Sequence, residues 1–325
     1  MSRRISVVST TTSPKAPVRT ISGRALKPGP RRRGKLRKWF RPWIVRAGNG
    51  ARRLPGRGPA FHLTLMLEHI RPEYLPWARV NVLVPNPEYL TPADIALLPA
   101  IDGVFAKTRH AEQIFAQLGS RTEYIGFTSE DRLDAGVRRE RAFFHLPGKS
   151  GNKGTRAVLE AWSAHPHWPP LTVVQRARQP HGIAAQAANV RHFSDYVPED
   201  ELRRMQNAHR FHLCPSRTEG FGHYLMEALS VGAVTLTTDG APMNELVTAE
   251  RGVLIPVART GTQAAATTWL ADAGEIAAAV ERALALDDAQ CDALGAAGRQ
   301  FFLDNEAAFH TRIVEAVRAW AQSPR

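Results

Sequence analysis

The chain has 325 residues, 43% hydrophobic and 22% charged, the values of a globular protein with room for two domains. Those fractions exclude a fully disordered chain, and no run of about 18 apolar residues marks a transmembrane helix. Two cysteines, Cys214 and Cys291, exclude a disulfide scaffold and a cysteine-rich zinc site, and read as reduced thiols of a cytoplasmic protein.

The formal net charge of +13 is not spread over the chain. Residues 1–60 hold 17 Lys and Arg, no acid, seven Pro and seven Gly. The other 265 residues hold 26 basic and 30 acidic side chains, so the body is slightly acidic. A segment carrying Arg31-Arg32-Arg33-Gly34-Lys35-Leu36-Arg37-Lys38 buries little and repels itself, which predicts a disordered arm over 1–60. The arm reads in three ways: a solvated tail or misassigned translation start, a binder of nucleic acid or an anionic membrane surface, or a targeting peptide. Trp39, Phe40, Trp43 and Ile44 beside the arginines suit a headgroup boundary, which allows peripheral attachment to the inner face of a membrane. No small-residue cleavage site follows an apolar run, which speaks against a secretory signal.

From Phe61 short apolar runs alternate with amphipathic stretches, the pattern of α/β folds with parallel sheets. Strands are predicted near 63–67, 80–84, 103–106 and 123–126, with a helix near 111–118. A second series of strands follows near 142–146, 171–175, 191–193, 211–214, 234–237 and 253–255. Helices between and after them fall near 155–164, 199–209, 222–231, 275–286, 289–303 and 306–321. The helix after Pro198 is well marked, with Glu199, Asp200 and Glu201 in its first turn. This divides the body into a reduced N-terminal domain at 61–138 and a complete doubly wound domain at 139–325. Two such units meet at a cleft lined by strand carboxyl ends, where ligands bind.

The residues that follow each strand carry the chemistry. The strand near 142–146 runs into Pro147-Gly148-Lys149-Ser150-Gly151-Asn152-Lys153-Gly154, a glycine-rich turn that opens a helix. Its two lysines and the helix-start N–H groups suit a diphosphate, although the glycine spacing is not that of a Walker A loop. The strand near 211–214 runs into Pro215-Ser216-Arg217-Thr218-Glu219-Gly220-Phe221-Gly222 and a helix containing Glu227. Gly220 and Gly222 allow close backbone approach to a ligand. Glu219 alone reads as a carboxylate favouring a helix N-terminus. Glu227 stands among Leu225, Met226, Ala228 and Leu229, where an acid needs a partner.

Glu219-Gly220-Phe221-Gly222 through Glu227-Ala228 resembles the E-x7-E pattern of the family 4 retaining glycosyltransferases, which have the GT-B fold of two Rossmann-like domains facing a cleft. The order of landmarks agrees: Cys214-Pro215-Ser216 ahead of the motif, Gly232 and a strand after it, Asp239-Gly240 through Asn244-Glu245-Leu246, then Gly252-Val253-Leu254-Ile255-Pro256. Phe193 through Tyr196-Val197-Pro198 resembles the family's base-binding region, and the likeness spans roughly 140–323. The resemblance implies a nucleotide-sugar transferase whose donor site comprises Gly148, Lys149, Lys153, Ser216, Glu219, Gly220, Phe221, Gly222 and Glu227. It places Lys149 and Lys153 on the diphosphate, Glu219 on the sugar hydroxyls, Glu227 on the ribose, and the amides near Phe221 to His223 on phosphate and sugar. Lys149 stands where the family usually has Arg, which replaces a planar fork by a point charge. No Asp-x-Asp motif is present in the chain, so the expectation is metal-independent chemistry with no cofactor, the lysines and helix dipoles serving the leaving group.

The first domain lacks a glycine-rich loop after its first predicted strand. Its strand ends offer Glu68, His69, Asn86, Glu88, Lys107 and Thr108 as acceptor-side residues, with His69 also a catalytic candidate for orienting a hydroxyl. Each alone reads equally as a turn residue or surface charge. The expected function is transfer of a sugar, with retention, from a nucleoside diphosphate to a glycan or lipid-linked intermediate of envelope polysaccharide. Two alternatives stand beside it: a phage-type enzyme glycosylating a modified DNA base held through the basic arm, and a degenerate binder of nucleotide sugars. A slightly acidic body speaks against the first, and the intact glutamates and lysines against the second.

Overall fold

A computed structural model describes residues 5–8, 59–176 and 187–322. The chain divides into two compact units, Met1–Gly126 with His310–Arg325, and Phe127–Phe309. This differs from the expected division at 138/139: residues 127–138 go with the second unit and the chain's last turns with the first.

The first unit holds a five-stranded parallel sheet in sequential order, β1 (Ile5–Val8), β2 (Phe61–Leu67), β3 (Ala78–Val84), β4 (Gly103–Ala106) and β5 (Thr122–Tyr124). In β3 every residue but Arg79 is buried, as expected of a parallel strand covered on both faces. Two helices connect the later strands, α1 (Pro92–Leu97) and α2 (Arg109–Gln117). The sequence reading missed α1, although Thr91-Pro92-Ala93-Asp94 forms a complete capping box. Strand β1 corrects the expectation of a disordered arm at its start, since Ile5–Val8 pairs in parallel with β2. Its Ile-Ser-Val-Val sequence carries a β-branched strand signal that the surrounding arginines outweigh in composition. The basic run and Trp39, Phe40, Trp43 and Ile44 lie outside the described residues.

The second unit holds a six-stranded parallel sheet. Its elements are β6 (Glu140–Gly148), α3 (Thr155–Ala164), β7 (Leu171–Gln175), β8 (Val190–Phe193), α4 (Glu199–Ala208), β9 (His209–Cys214), α5 (His223–Ser230), β10 (Val234–Thr238), α6 (Met243–Leu246) and β11 (Gly252–Ile255). An antiparallel hairpin, β12 (Arg259–Gln263) and β13 (Ala266–Leu270), precedes α7 (Ala273–Leu284) and the 35-residue α8 (Asp288–Gln322). The strand order β11-β10-β9-β6-β7-β8 reverses direction between β6 and β9. Phe143 and Phe211 stack across these two central strands with centroids 4.7 Å apart, inside a core that includes Trp162, Leu213 and Leu236.

Helix α8 is continuous where the sequence reading divided it near Asp304 and Asn305. No Gly or Pro interrupts it there, and Asn305 is satisfied by donating to the Phe127 carbonyl at 2.7 Å. Its last turns, from His310, pack in the first unit. Trp320 lies edge-on to Phe105 at 5.2 Å, and a Cβ at Gly103 would stand 2.3 Å from the Trp320 ring. Among the described residues no helix is long and apolar enough to cross a membrane.

Candidate active site

The strand order reverses between β6 and β9, and both sequence motifs begin at the carboxyl ends of these two strands. Such a reversal leaves a crevice between diverging connections, the usual ligand position in open parallel sheets. Gly148 ends β6 at φ 59°, Gly154 caps α3 at φ 65° and Gly222 caps α5 at φ 108°. These left-handed conformations explain why glycine stands at each. The two loops interlock: the Arg217 amide donates to the Asn152 carbonyl at 2.7 Å, and a Cβ at Gly154 would meet the Pro215 carbonyl at 2.4 Å.

Within this frame the structure brings together Lys153, Ser216, Glu219 and Tyr224. Lys153 Nζ pairs with Glu219 Oε1 and lies 3.8 Å from the Tyr224 ring centroid. The Ser216 hydroxyl donates to the same carboxylate oxygen, and Ser216 Oγ lies 2.5 Å from Tyr224 Oη. With the serine proton committed to Glu219, the phenol is the donor in that second bond. Burial, then the nearby Cys214 and Glu219, hold the Tyr224 phenol well above its ordinary pKa, so it stays neutral. Lys149 is exposed on the turn, while Phe221 is buried below the loop.

Glu227 lies one turn further along α5. Its Oε2 accepts from Gln206 Nε2 at 2.8 Å, which supplies the partner its apolar neighbours demand. Burial pushes its pKa above the usual carboxylate range, against the opposing pull of Arg132 and the Gln206 bond. Among the described residues, three buried side-chain oxygens at the same end of the sheet have no hydrogen-bond partner: Gln175 Oε1 closing β7, Thr238 Oγ1 closing β10, and Thr218 Oγ1 between them in sequence. A buried polar atom of this kind calls for a partner such as water, an ion or a bound polar group.

The hairpin, which the sequence reading missed, braces these loops. Gln263 Oε1 accepts from Asn152 Nδ2 at 3.0 Å, and the Trp269 amide donates to the Arg217 carbonyl at 2.7 Å. The Trp269 indole donates to the Ala241 carbonyl at 2.7 Å and covers Gly240, where a Cβ would stand 2.3 Å from the ring. Its Thr-rich alternation was the available strand signal. Gln206, Arg132 and Asn152 gave no signal in sequence, because each acts through a partner far along the chain.

In the first unit the strand-end residues form two groups. His69 Nδ1 lies 2.9 Å from Asp94 Oδ2. Burial pushes the Asp94 carboxyl up, but bonds from Thr91, His69 and the Ile70 amide outweigh it and leave the pKa below its ordinary value. Lys107 Nζ donates to Asn86 Oδ1. Burial lowers Lys107 to about 8, with the Glu88 and Glu68 carboxylates opposing. Glu68 takes φ 70°, an uncommon conformation for a residue with a side chain. Thr108 is committed elsewhere, accepting from the Ala111 amide at 3.0 Å as the cap of α2. Among the described residues no group of three His, Cys, Asp or Glu is placed to hold a metal ion.

Solved structures share this architecture. The chain is similar to sucrose-phosphate synthase from Thermosynechococcus elongatus at 16% identity and TM-score 0.63, covering 91% of this chain and 82% of that one. It is similar to Anabaena HepE in complex with UDP-glucose at 14% identity and TM-score 0.65, covering 88% and 84%. It matches a chain of the GtfA/B complex at 15% identity and TM-score 0.62, covering 86% of this chain but spanning only 61% of that one. The fold is that of the GT-B glycosyltransferases. Residues 183–300, which contain both glutamates of the E-x7-E motif, match the family described as Glycosyl transferases group 1. The matched residues lie within the second unit, so that unit carries a group 1 glycosyltransferase domain. No curated protein matches it.

Proposed function

We propose that the second unit binds a nucleoside diphosphate sugar and that the enzyme transfers the sugar, with retention and without a metal ion, to a hydroxyl of a glycan or lipid-linked acceptor. The observation that carries this reading is the Lys153–Glu219 pair at the reversal between β6 and β9, beside a buried, partnered Glu227. Similarity to a protein solved with UDP-glucose supports a nucleotide-sugar donor.

Each group has a distinct task in this reading. Lys149 and Lys153 meet the diphosphate, where negative charge builds as the glycosidic bond breaks. Lys153 exchanges Glu219 for phosphate, and Glu219 turns its acceptor oxygens to the sugar hydroxyls. Glu227 accepts from the ribose diol. The acceptor oxygen attacks the anomeric carbon from the face the diphosphate leaves, and a phosphate oxygen takes the acceptor proton. No enzyme nucleophile is consumed. On the first unit, Glu68, His69, Asn86, Glu88 and Lys107 form the proposed acceptor-binding surface, and Asp94 fixes the His69 ring through Nδ1.

The test is turnover of UDP-, GDP- and dTDP-sugars in excess chelator, with and without glycan, lipid-linked and modified-DNA acceptors. Release of the diphosphate accelerated by a glycan or lipid-linked acceptor is expected. Acceleration by DNA alone would move the acceptor to a nucleic acid, and binding of every donor with no turnover would leave a recognition module.

A further inference from the structure

We propose that Gln206 and Arg132 are positioning residues that aim the Glu227 carboxylate at the ribose hydroxyls of the donor nucleotide. This rests on the donor site proposed above and adds to it two residues that lie outside the E-x7-E motif.

The geometry is a buried relay. Gln206 on α4 is 1% exposed and uses both ends of its amide. Its Nε2 donates to Glu227 Oε2 at 2.8 Å, and its Oε1 accepts from Arg132 Nε at 2.8 Å. Arginine only donates, so the amide has one possible orientation, with its NH2 toward the carboxylate. Arg132 is itself 4% exposed. Its Nη1 pairs with Glu199 and lies 3.5 Å from Glu130, and its backbone amide donates to Ser230 Oγ at 3.1 Å. The Arg132 carbonyl accepts from Arg203 Nε at 3.1 Å and Asn207 Nδ2 at 2.8 Å. A segment pinned by this many bonds fixes the guanidinium, the guanidinium fixes the amide, and the amide fixes the carboxylate.

One bond to Gln206 leaves Glu227 Oε1 and the second lone pair of Oε2 free to accept two vicinal hydroxyls. That reception requires the ionised carboxylate. Burial opposes ionisation most strongly, Arg132 and the Gln206 bond favour it, and Glu199 and Glu130 oppose it. The Cys214 thiol also faces Glu227 from the end of β9, and burial keeps that thiol neutral. The cation and the amide therefore do two jobs, orientation and maintenance of charge, which a merely space-filling pair would not do.

The experiment measures UDP and GDP binding by calorimetry from pH 5.5 to 8.5 for the full chain, using whichever nucleotide the wild-type protein binds more tightly. The variants are Gln206→Met, Arg132→Lys, Glu227→Gln and Gln206→Met combined with Glu227→Gln. Losing the amide bond removes both the aim of the carboxylate and a contact that favours its ionised form, so Gln206→Met should bind about tenfold more weakly at the acid end of the range and less so at the alkaline end. Arg132→Lys keeps the charge but not the fork, and should shift the profile in the same direction by less. The double variant should match Glu227→Gln alone. Loss by the same factor at every pH, or additive loss in the double variant, overturns the positioning role. If Glu227→Gln weakens binding while Gln206→Met and Arg132→Lys leave the pH profile unchanged, this inference falls and the donor reading stands. Wild-type affinity in Glu227→Gln would remove the ribose assignment itself.

Discussion

Lys153 and Glu219, 66 residues apart in sequence, meet as an ion pair with side chains 14% and 12% exposed, against the face of Tyr224. A pair this far from water is weak evidence of added stability, yet removing one member leaves an uncompensated buried charge at a cost of about 3–5 kcal/mol. Lys153→Met should therefore destabilise the protein by roughly that amount, and Lys153→Met with Glu219→Gln should recover most of it. Turnover should stay low in both, because the leaving diphosphate has lost a cation, a loss of about 3–4 kcal/mol in the barrier by comparison with single oxyanion donors. Denaturant unfolding beside donor turnover separates the two effects. Recovery of turnover along with stability would show that the lysine serves only the glutamate.

The two glutamates of the motif should respond differently to the same change. Glu219 sits on the loop with Lys153 and Ser216, while Glu227 sits on α5 with Gln206. Glu219→Gln should slow transfer without weakening diphosphate binding, since it releases Lys153 to the phosphate. Glu227→Gln should weaken diphosphate binding by about ten- to a hundredfold, since a lost charge-assisted bond is worth roughly 1.5–3 kcal/mol. Calorimetry with the diphosphate, run beside turnover with the sugar donor, decides this. Equal loss of nucleotide affinity in both variants would refute the division of roles.

The hairpin should matter for the donor loops although none of its residues belongs to the motif. Trp269→Ala removes the indole bond to Ala241 and the cover over Gly240. A half-buried tryptophan lost in this way should cost about 2 kcal/mol of stability and raise KM for the donor, as the loops at 215–222 and 239–242 loosen. Gly240→Ala should do the same from the other side, by driving a methyl into the ring. Steady-state kinetics with an unchanged KM in both variants would assign the hairpin to stability alone.

The sequence made the second unit legible because strands such as β6, β7 and β11 hold short apolar runs, and β6, β9 and β10 end in turns containing Gly, Pro or Ser. The two motifs could be placed at strand ends for the same reason. What stayed hidden was pairing across distance. Nothing local to Gln206 points to Glu227, and nothing local to Asn152 points to Gln263. Nothing local to His69 points to Asp94, which folding brings to it from 25 residues away. Strand β1 was hidden by composition, four residues, three of them β-branched, inside a basic segment. The division of the chain was hidden by the return of the last helical turns, whose Trp320 fills the space that Gly103 leaves on β4.

Lys107 gives the first unit a pH signature. Its folded pKa is lowered by burial from 10.5 to about 8, against the opposing Glu88 and Glu68 carboxylates. Below about pH 8 the lysine is protonated in both folded and unfolded chains, so the cost of burying the charge is fully present and stability has no slope from this group. Between about 8 and 10.5 the unfolded chain binds more protons than the folded one, so stability rises with pH. The full rise corresponds to about 3 kcal/mol, an upper figure because the lysine keeps some contact with solvent. Lys107→Met should remove this rise, whatever its effect near neutral pH, where it also strips Glu68, Glu88 and Asn86 of their cation. Urea unfolding of both proteins at half-unit steps from pH 7 to 10.5 provides the comparison. The difference between the two curves should grow steadily above pH 8 and level off near 10.5. Two parallel curves would show that Lys107 titrates like a solvated lysine and would remove the buried cation from the proposed acceptor-binding surface.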